Sequence, residues 1–260
     1  MNDLFQSLSK TKEADYSAKD IEVLEGLEPV RRRPGMYIGG TDQQAMHHLV
    51  AEVLDNSMDE AVAGHANRIE LHLTKDQSVI VTDNGRGIPV DPHPKFKNKS
   101  ALEVILTTLH AGGKFSDNVY STSGGLHGVG ISVVNALSDR LTVEIARDQR
   151  LFSQQFRQGA ACSSILDEGP VRNRRGTKIC FHPDPEIFGK NLKFKPSTLY
   201  QMAKSKAYLF RGVEIRWSCD TELIVSDPKT PDAETIHYPN GLTDYLKSCL
   251  LYTSPSPRDS

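Results

Sequence analysis

The stretch DQQAMHHLVAEVLDNSMDEAVAG, residues 42–64, decides how the rest of the chain is read. Its apolar residues Met46, Leu49, Val50, Val53, Leu54, Ala61 and Val62 recur with a period near 3.6, as on a helix with one face turned to a core. Thr41 or Asp42 suits the N-cap, where a short side-chain oxygen accepts from the unpaired N–H groups of the first turn. Gly64 is a natural stop. The spacing predicts one long helix. Directly after it Ile69, Leu71 and Leu73 alternate with polar residues, and Val79-Ile80-Val81 follows the turn Lys75-Asp76-Gln77, so a β-hairpin is expected.

Upstream, Val23, Leu24 and Leu27 lie at helical spacing before Pro29, and Pro34-Gly35 with Gly39-Gly40 marks a turn. Downstream, a Pro-rich stretch (Pro89, Pro92, Pro94) leads to a helix around 100–110. AGGKFSDNVYSTSGGLHGVG, residues 111–130, is too rich in glycine for a regular element and reads as a loop able to approach a ligand closely. ISVVNALSDR starts a helix from it. From about 141 short strands dominate (LTVEIAR, RLFSQQFRQ, TKICFHP, VEIRWSC), with a helix near 197–209. The order predicts an α+β chain: a two-layer sandwich with a mixed, mostly antiparallel sheet and helices on one face.

Composition narrows the function classes. With 38% hydrophobic and 25% charged residues, the 260-residue chain reads as a globular protein able to bury a real core. Its formal charge of −2 offers no global field for nucleic acid, so any DNA role must rest on local patches or on other parts of a complex. Cys162, Cys180, Cys219 and Cys249 are widely separated and the histidines show no ligand spacing, which argues against a zinc site or a disulfide framework. No apolar run is long enough for a membrane span, and MNDLFQSLSKTKEADYS lacks the apolar stretch of a signal peptide. A cytoplasmic protein without membrane contact is expected.

Three motifs carry chemistry. Glu52, Asn56 and Glu60 lie four apart along one edge of the long helix, where a carboxylate can activate a water and an amide oxygen can ligate Mg²⁺, a hard cation that prefers oxygen. The same residues also fit a solvated helix edge. Asp83 closes a strand and opens DNGRGIP; a carboxylate fixed there accepts from an exocyclic amine such as adenine's and repels guanine's carbonyl oxygen. Gly85 and Gly87 would let a flat base lie against the backbone, and Arg86 would brace an acid, with Glu60 the nearest candidate. An ordinary Asp-Asn-Gly turn is the competing reading. GGLHGVG, residues 124–130, precedes a helix, and clustered N–H groups at a helix N-terminus suit a phosphate chain. It is neither a Walker A loop, since Phe115 follows Gly113-Lys114, nor a dinucleotide fingerprint, since Val133 fills the third glycine slot. The basic runs Arg31–Arg33, Lys95/Lys97/Lys99 and Arg172/Arg174/Arg175 fit either DNA contacts or a solvated face.

The order EVLDN, DNGRGIP, LHAGGKF, SGGLHGVG and a strand carrying GTK resembles the ATPase superfamily shared by type II topoisomerases, the 90 kDa heat-shock chaperone, histidine kinases and MutL proteins. Within it, RRRPGMYIG, LHAGGKF and SGGLHGVGISVVNALS look like the ATPase-bearing subunits of bacterial type II topoisomerases. IEVLEGLEPVRRRPGMY and KAYLFRGVEI favour the topoisomerase IV branch over gyrase.

The resemblance implies a Bergerat-type ATP-binding fold with ATP and Mg²⁺ as cofactors. It makes Glu52 the general base, Asn56 the Mg²⁺ ligand and Asp83 the adenine contact. Arg86, Gly87 and Pro89 border the base, with Thr177 assisting Asp83 through a hydrogen bond or a bridging water. Gly112, Gly113, Lys114, Gly124, Gly125, Leu126, Gly128, Val129 and Gly130 would hold the phosphates, with His127 and Tyr120 in a lid. Tyr16 and Ile21 would belong to an arm that crosses to a second copy.

The implied organisation is a flexible extension over 1–15, an ATP-binding domain with its dimerisation arm over 16–235, the start of a truncated transducer domain over 236–250, and a tail over 251–260 that fits neither the family nor a folded element and reads as non-native. A fragment lacking the transducer lysine would be weakly active. Implied partners are a second copy, the DNA-cleaving partner of topoisomerase IV (its A component, in an A2B2 holoenzyme) and double-stranded DNA. The implied activity is ATP-gated strand passage, with decatenation and relaxation. The corresponding gyrase component, a non-catalytic ATP-gated dimerisation module and a histidine-type kinase are the alternatives. The last is disfavoured because no phosphoacceptor helix or sensor segment is recognisable.

Overall fold

The computed structural model describes residues 23–112, 128–225, 227 and 229–251. The described chain opens with two short helices, α1 (Glu28–Arg32) and α2 (Gly35–Ile38), before the long helix α3 (Gln43–Val62). Asp42 is the cap of α3: its side chain accepts from the backbone N–H of Ala45 at 2.9 Å. The hairpin β1 (Arg68–Leu73) and β2 (Val79–Asp83) follows as expected, turning through Gln77 at φ 67°.

Then come β3 (Pro92–His93), β4 (Phe96–Ser100), α4 (Ala101–Thr107), α5 (Gly130–Ala136), β5 (Ser138–Arg147), β6 (Arg150–Arg157), β7 (Ala160–Ala161), β8 (Leu166–Pro170) and β9 (Gly176–Pro183). The chain continues through α6 (Pro185–Phe188), α7 (Pro196–Leu209), β10 (Glu214–Cys219), β11 (Ala233–His237) and α8 (Leu242–Leu251).

Among the described residues nine strands form one sheet in the order β11-β10-β1-β2-β9-β5-β6-β7, with β8 also paired to β6. In that sheet β1 and β10 run parallel; the other described pairings are antiparallel. Burial alternates along β1 and β2, because successive side chains leave a strand on opposite faces. One face carries Ile69, Leu71, Leu73, Val79 and Val81 into a core completed by Leu49, Val50, Val53 and Leu54 of α3, with Val133 and Val134 of α5 and Leu199 of α7. The fold is the two-layer α+β sandwich that the sequence predicts.

Some local expectations change. The spacing of Val23, Leu24 and Leu27 does not form a helix: Gly26 sits at φ 58°, and α1 begins at Glu28, with Pro29 in its first turn, where the missing N–H costs nothing. Pro34-Gly35 starts the single helical turn α2, which Gly39 closes at φ 82°. The Pro-rich stretch contains the small hairpin β3–β4. The boundary expected at 235/236 falls inside β11, whose residues pair with β10 from Ala233 to His237.

Candidate functional site

The alternation of β2 places Asp83 on the helix side of the sheet, opposite Ile69. There the acid is 7% exposed and hydrogen-bonded through both carboxylate oxygens. Its Oδ1 accepts from the backbone N–H groups of Gly85 (2.8 Å) and Thr177 (3.3 Å), and its Oδ2 accepts from the Ser57 hydroxyl of α3 (3.2 Å). Burial pushes its pKa up to about 6; the three hydrogen bonds oppose that rise and the nearby Glu60 charge adds to it.

The glycines around this acid are required by packing. A β-carbon on Gly176, itself at φ 108°, would lie 2.0 Å from the Asp83 carbonyl oxygen. One on Gly85 would lie 2.8 Å from Glu60 Oε2 and 2.9 Å from Asp83 Oδ1. Gly87 adopts φ 79° and lies against Ile145 and Arg147. Arg86 does brace Glu60: its backbone N–H (2.9 Å) and Nε (3.2 Å) donate to Oε2, and Nη2 donates to Oε1 (2.7 Å). Thr177 reaches Asp83 through its main chain, while its hydroxyl accepts from the Ile88 N–H at 3.3 Å. Pro89 is exposed at the end of this turn.

Two turns nearer the start of α3, Glu52 is half-buried and pairs with His48 Nε2 at 3.2 Å. Its carboxylate lies against the start of α5: a β-carbon on Gly130 would come 1.9 Å from Glu52 Oε2. Asn56 stands between Glu52 and Glu60, half-buried. Gly112 follows α4 at φ 159°, and Gly128 enters α5 at φ 58°. Val129 occupies the N-cap without a side-chain cap, so the first N–H groups of α5 gain no side-chain acceptor there. Tyr16, Ile21, Gly113, Lys114, Tyr120, Gly124, Gly125, Leu126 and His127 lie outside the described residues.

Two further residues that no motif marks also meet the site. Ser57 sits next to Asn56 in the DNS run, and its hydroxyl reaches Asp83 only because β2 packs across α3. Arg147, the last residue of β5, donates from Nη1 to the Gly87 carbonyl at 3.0 Å. A basic residue at the end of a strand was the sole signal for it.

Several residues of the basic runs are engaged within the fold. Arg31 donates to the Ala136 carbonyl (2.8 Å) and pairs with Asp184 (2.8 Å), Arg32 pairs with Glu28, Lys99 with Glu103, and Arg174 with Glu144. Among the described residues no cluster of histidine, cysteine and acid could hold a metal ion, and Cys162, Cys180 and Cys219 are free thiols. No helix among them is long and apolar enough to cross a membrane.

A buried acid at a strand end, ringed by glycine turns and facing a helix that carries a second carboxylate and an amide, defines a nucleotide-binding ATPase fold. The chain belongs to the histidine kinase-, DNA gyrase B- and HSP90-like ATPase family, whose pattern matches residues 41–187. It is 58% identical over 252 residues to the B subunit of DNA topoisomerase 4 from Rickettsia felis, covering 95% of this chain and 38% of that protein. It is 61% identical over 240 residues to the same component of DNA topoisomerase 4 from Caulobacter vibrioides, covering 92% and 34%. The B subunit of DNA gyrase from Thermotoga maritima is 47% identical over 232 residues, covering 89% and 35%. The crystal structure of the 43K ATPase domain of Thermus thermophilus gyrase B in complex with an aminocoumarin superposes with a TM-score of 0.73 at 39% identity, covering 86% of this chain and 54% of that one. The chain thus spans about 38% of the length of the Rickettsia relative.

Proposed function

We propose that this chain is the ATP-binding and ATP-hydrolysing part of a bacterial type II topoisomerase, of the topoisomerase IV kind. The observation that carries the reading is Asp83, a carboxylate with Oδ1 saturated by two backbone N–H groups and Oδ2 left with one acceptor position beside the Ser57 hydroxyl. An exocyclic amine donates to that position; the carbonyl oxygen of guanine would face it as acceptor against acceptor, at the cost of an unpaired buried group.

Glu52 would take the proton of a water attacking the γ-phosphate, and His48 orients that carboxylate. Asn56, between Glu52 and Glu60 on the same helix edge, carries an amide oxygen of the kind a hard Mg²⁺ ion prefers and would be its ligand. When bound, the ion supplies charge neutralisation at the phosphates. The N–H groups at the start of α5, with Gly112, Gly113, Lys114, Tyr120 and the lid from Gly124 to Gly130, complete the phosphate contacts. Arg86, Gly87 and Pro89 border the base, and Thr177 holds Asp83.

In the whole protein, nucleotide binding drives dimerisation through the arm carrying Tyr16 and Ile21. Within an A2B2 assembly with the DNA-cleaving partner, the dimer gates passage of a DNA duplex, in the cytoplasm and at the nucleoid. The ATP-binding unit runs from 16 to the end of β11 at His237, and a transducer domain begins beyond it.

The test is hydrolysis by the full-length protein. Glu52→Ala is expected to keep ATP binding and lower turnover by about 10²-fold or more; undiminished turnover removes Glu52 from the role. Binding and dimerisation without any turnover in the unaltered protein would make the chain a gated dimerisation module.

A further inference from the structure

The turn that bears Asp83 is anchored from outside the pocket by one side chain. Arg175, in the loop before β9, donates from Nε to the Asn84 carbonyl oxygen at 2.8 Å and from Nη2 to the His65 carbonyl oxygen at 2.6 Å. It thereby ties the turn after β2 to the loop that leaves α3. Its two followers act on the same turn. Gly176 abuts the Asp83 carbonyl so closely that no β-carbon fits, and Thr177 N–H holds Oδ1.

From the other side, Asn84 Oδ1 accepts from the N–H groups of Asn67 and Arg68, each at 3.0 Å. The Asp83–Asn84 peptide is therefore fixed across three chain segments, and among the described residues Arg175 bridges two of them with a charged, forked donor.

We infer that Arg175 is a positioning residue for nucleotide-base selection, acting through the Asp83 turn. The inference rests on the reading of Asp83 as the base contact. Arg175 is exposed and its guanidinium bonds to main-chain carbonyls rather than to the Asp83 carboxylate, so its effect comes through where the turn stands. A bidentate guanidinium suits this task, because two carbonyls on separate segments need two donors at a fixed spacing. Lysine offers a single point charge and reaches one of them. The groups that meet Asp83 itself are Gly85, Thr177, Ser57 and Glu60, the last clamped by Arg86, and none of them replaces the tie to His65.

The test is calorimetric titration of the 260-residue chain, with Mg²⁺, using the nonhydrolysable ATP analogue AMPPNP and, separately, inosine triphosphate, which lacks the exocyclic amine. In Arg175→Ala, AMPPNP affinity is expected to fall about 3- to 10-fold, inosine triphosphate affinity to stay nearly constant, and Arg175→Lys to fall between. Thermal melting of each variant separates this from unfolding. If Arg175→Ala binds both nucleotides as the parent does, or loses both equally, Arg175 does not position the base contact. If Arg175→Ala fails to fold, the comparison of Arg175→Lys with the parent decides on the same criterion. If the parent itself prefers neither nucleotide, Asp83 is not the base contact and both readings fall.

Discussion

Gly130 and Glu52 meet so closely that the space a β-carbon of residue 130 would fill is already taken by a carboxylate oxygen, 1.9 Å from its centre. The glycine at the first position of α5 therefore sets where Glu52 can point. Gly130→Ala would favour the helix intrinsically, since alanine is the better helix former by about 1 kcal/mol. The flexible end of Glu52 would swing aside at little cost. The expected outcome is a melting temperature unchanged or slightly raised, with ATP turnover by the full-length protein reduced at least about 10-fold. Steady-state hydrolysis and thermal melting of the same sample check both halves.

Asp83→Asn separates binding from stability. The folded-state pKa of about 6 lies above the usual value of 3.8, so the stability linked to this group is present below pH 3.8 and is lost as pH rises through about 6. At pH 8 the native protein carries the cost of a buried charge. The variant should be as stable or more stable there, by about 1–3 kcal/mol, and the difference should shrink as pH falls toward 5. Adenine nucleotide affinity should drop in the variant at every pH. Denaturant unfolding at pH 5 and 8, with calorimetric titration beside it, tests the signs.

Arg31 belongs to a basic run that fits a DNA contact in sequence, yet it is an internal tie. It joins α1 to the C-terminal end of α5 and to Asp184, which is 1% exposed and caps α6. Arg31→Ala should cost about 2 kcal/mol by leaving that carboxylate without its cation, with DNA affinity unaltered in a gel-shift assay.

His47 is buried beside Phe194 and accepts from the Lys195 N–H through Nε2 at 3.0 Å, an arrangement open only to the neutral ring. Burial, helped by the Lys195 charge, holds its pKa below the ordinary 6.5. Its contribution to stability is thus present above about pH 6.5 and is lost as pH falls toward the lower folded-state value. His47→Gln, which keeps an acceptor without a titrating proton, should flatten the pH dependence of the unfolding midpoint below about pH 6.5. A slope equal to that of the native protein would show that His47 does not set it.

The sequence by itself determined the periodic elements and the order of the motifs. Residues 42–64 are helical and 68–83 form a hairpin because a 3.6-residue or two-residue repeat leaves only one face to bury. The Arg86–Glu60 brace was equally legible, since a helix end and a strand end joined by a hairpin must lie close.

The tertiary structure alone decided what joins segments distant along the chain. Ser57 reaches Asp83, Arg147 reaches Gly87 and Arg175 reaches His65 because β2 packs across α3 and the sheet order sets β9 between β2 and β5. It also decided why the glycines are glycines. Gly176 is fixed by the Asp83 carbonyl oxygen standing where a side chain would be, while Gly85 and Gly130 leave that space to the carboxylates of Glu60 and Glu52, and no periodicity along one chain encodes that spacing.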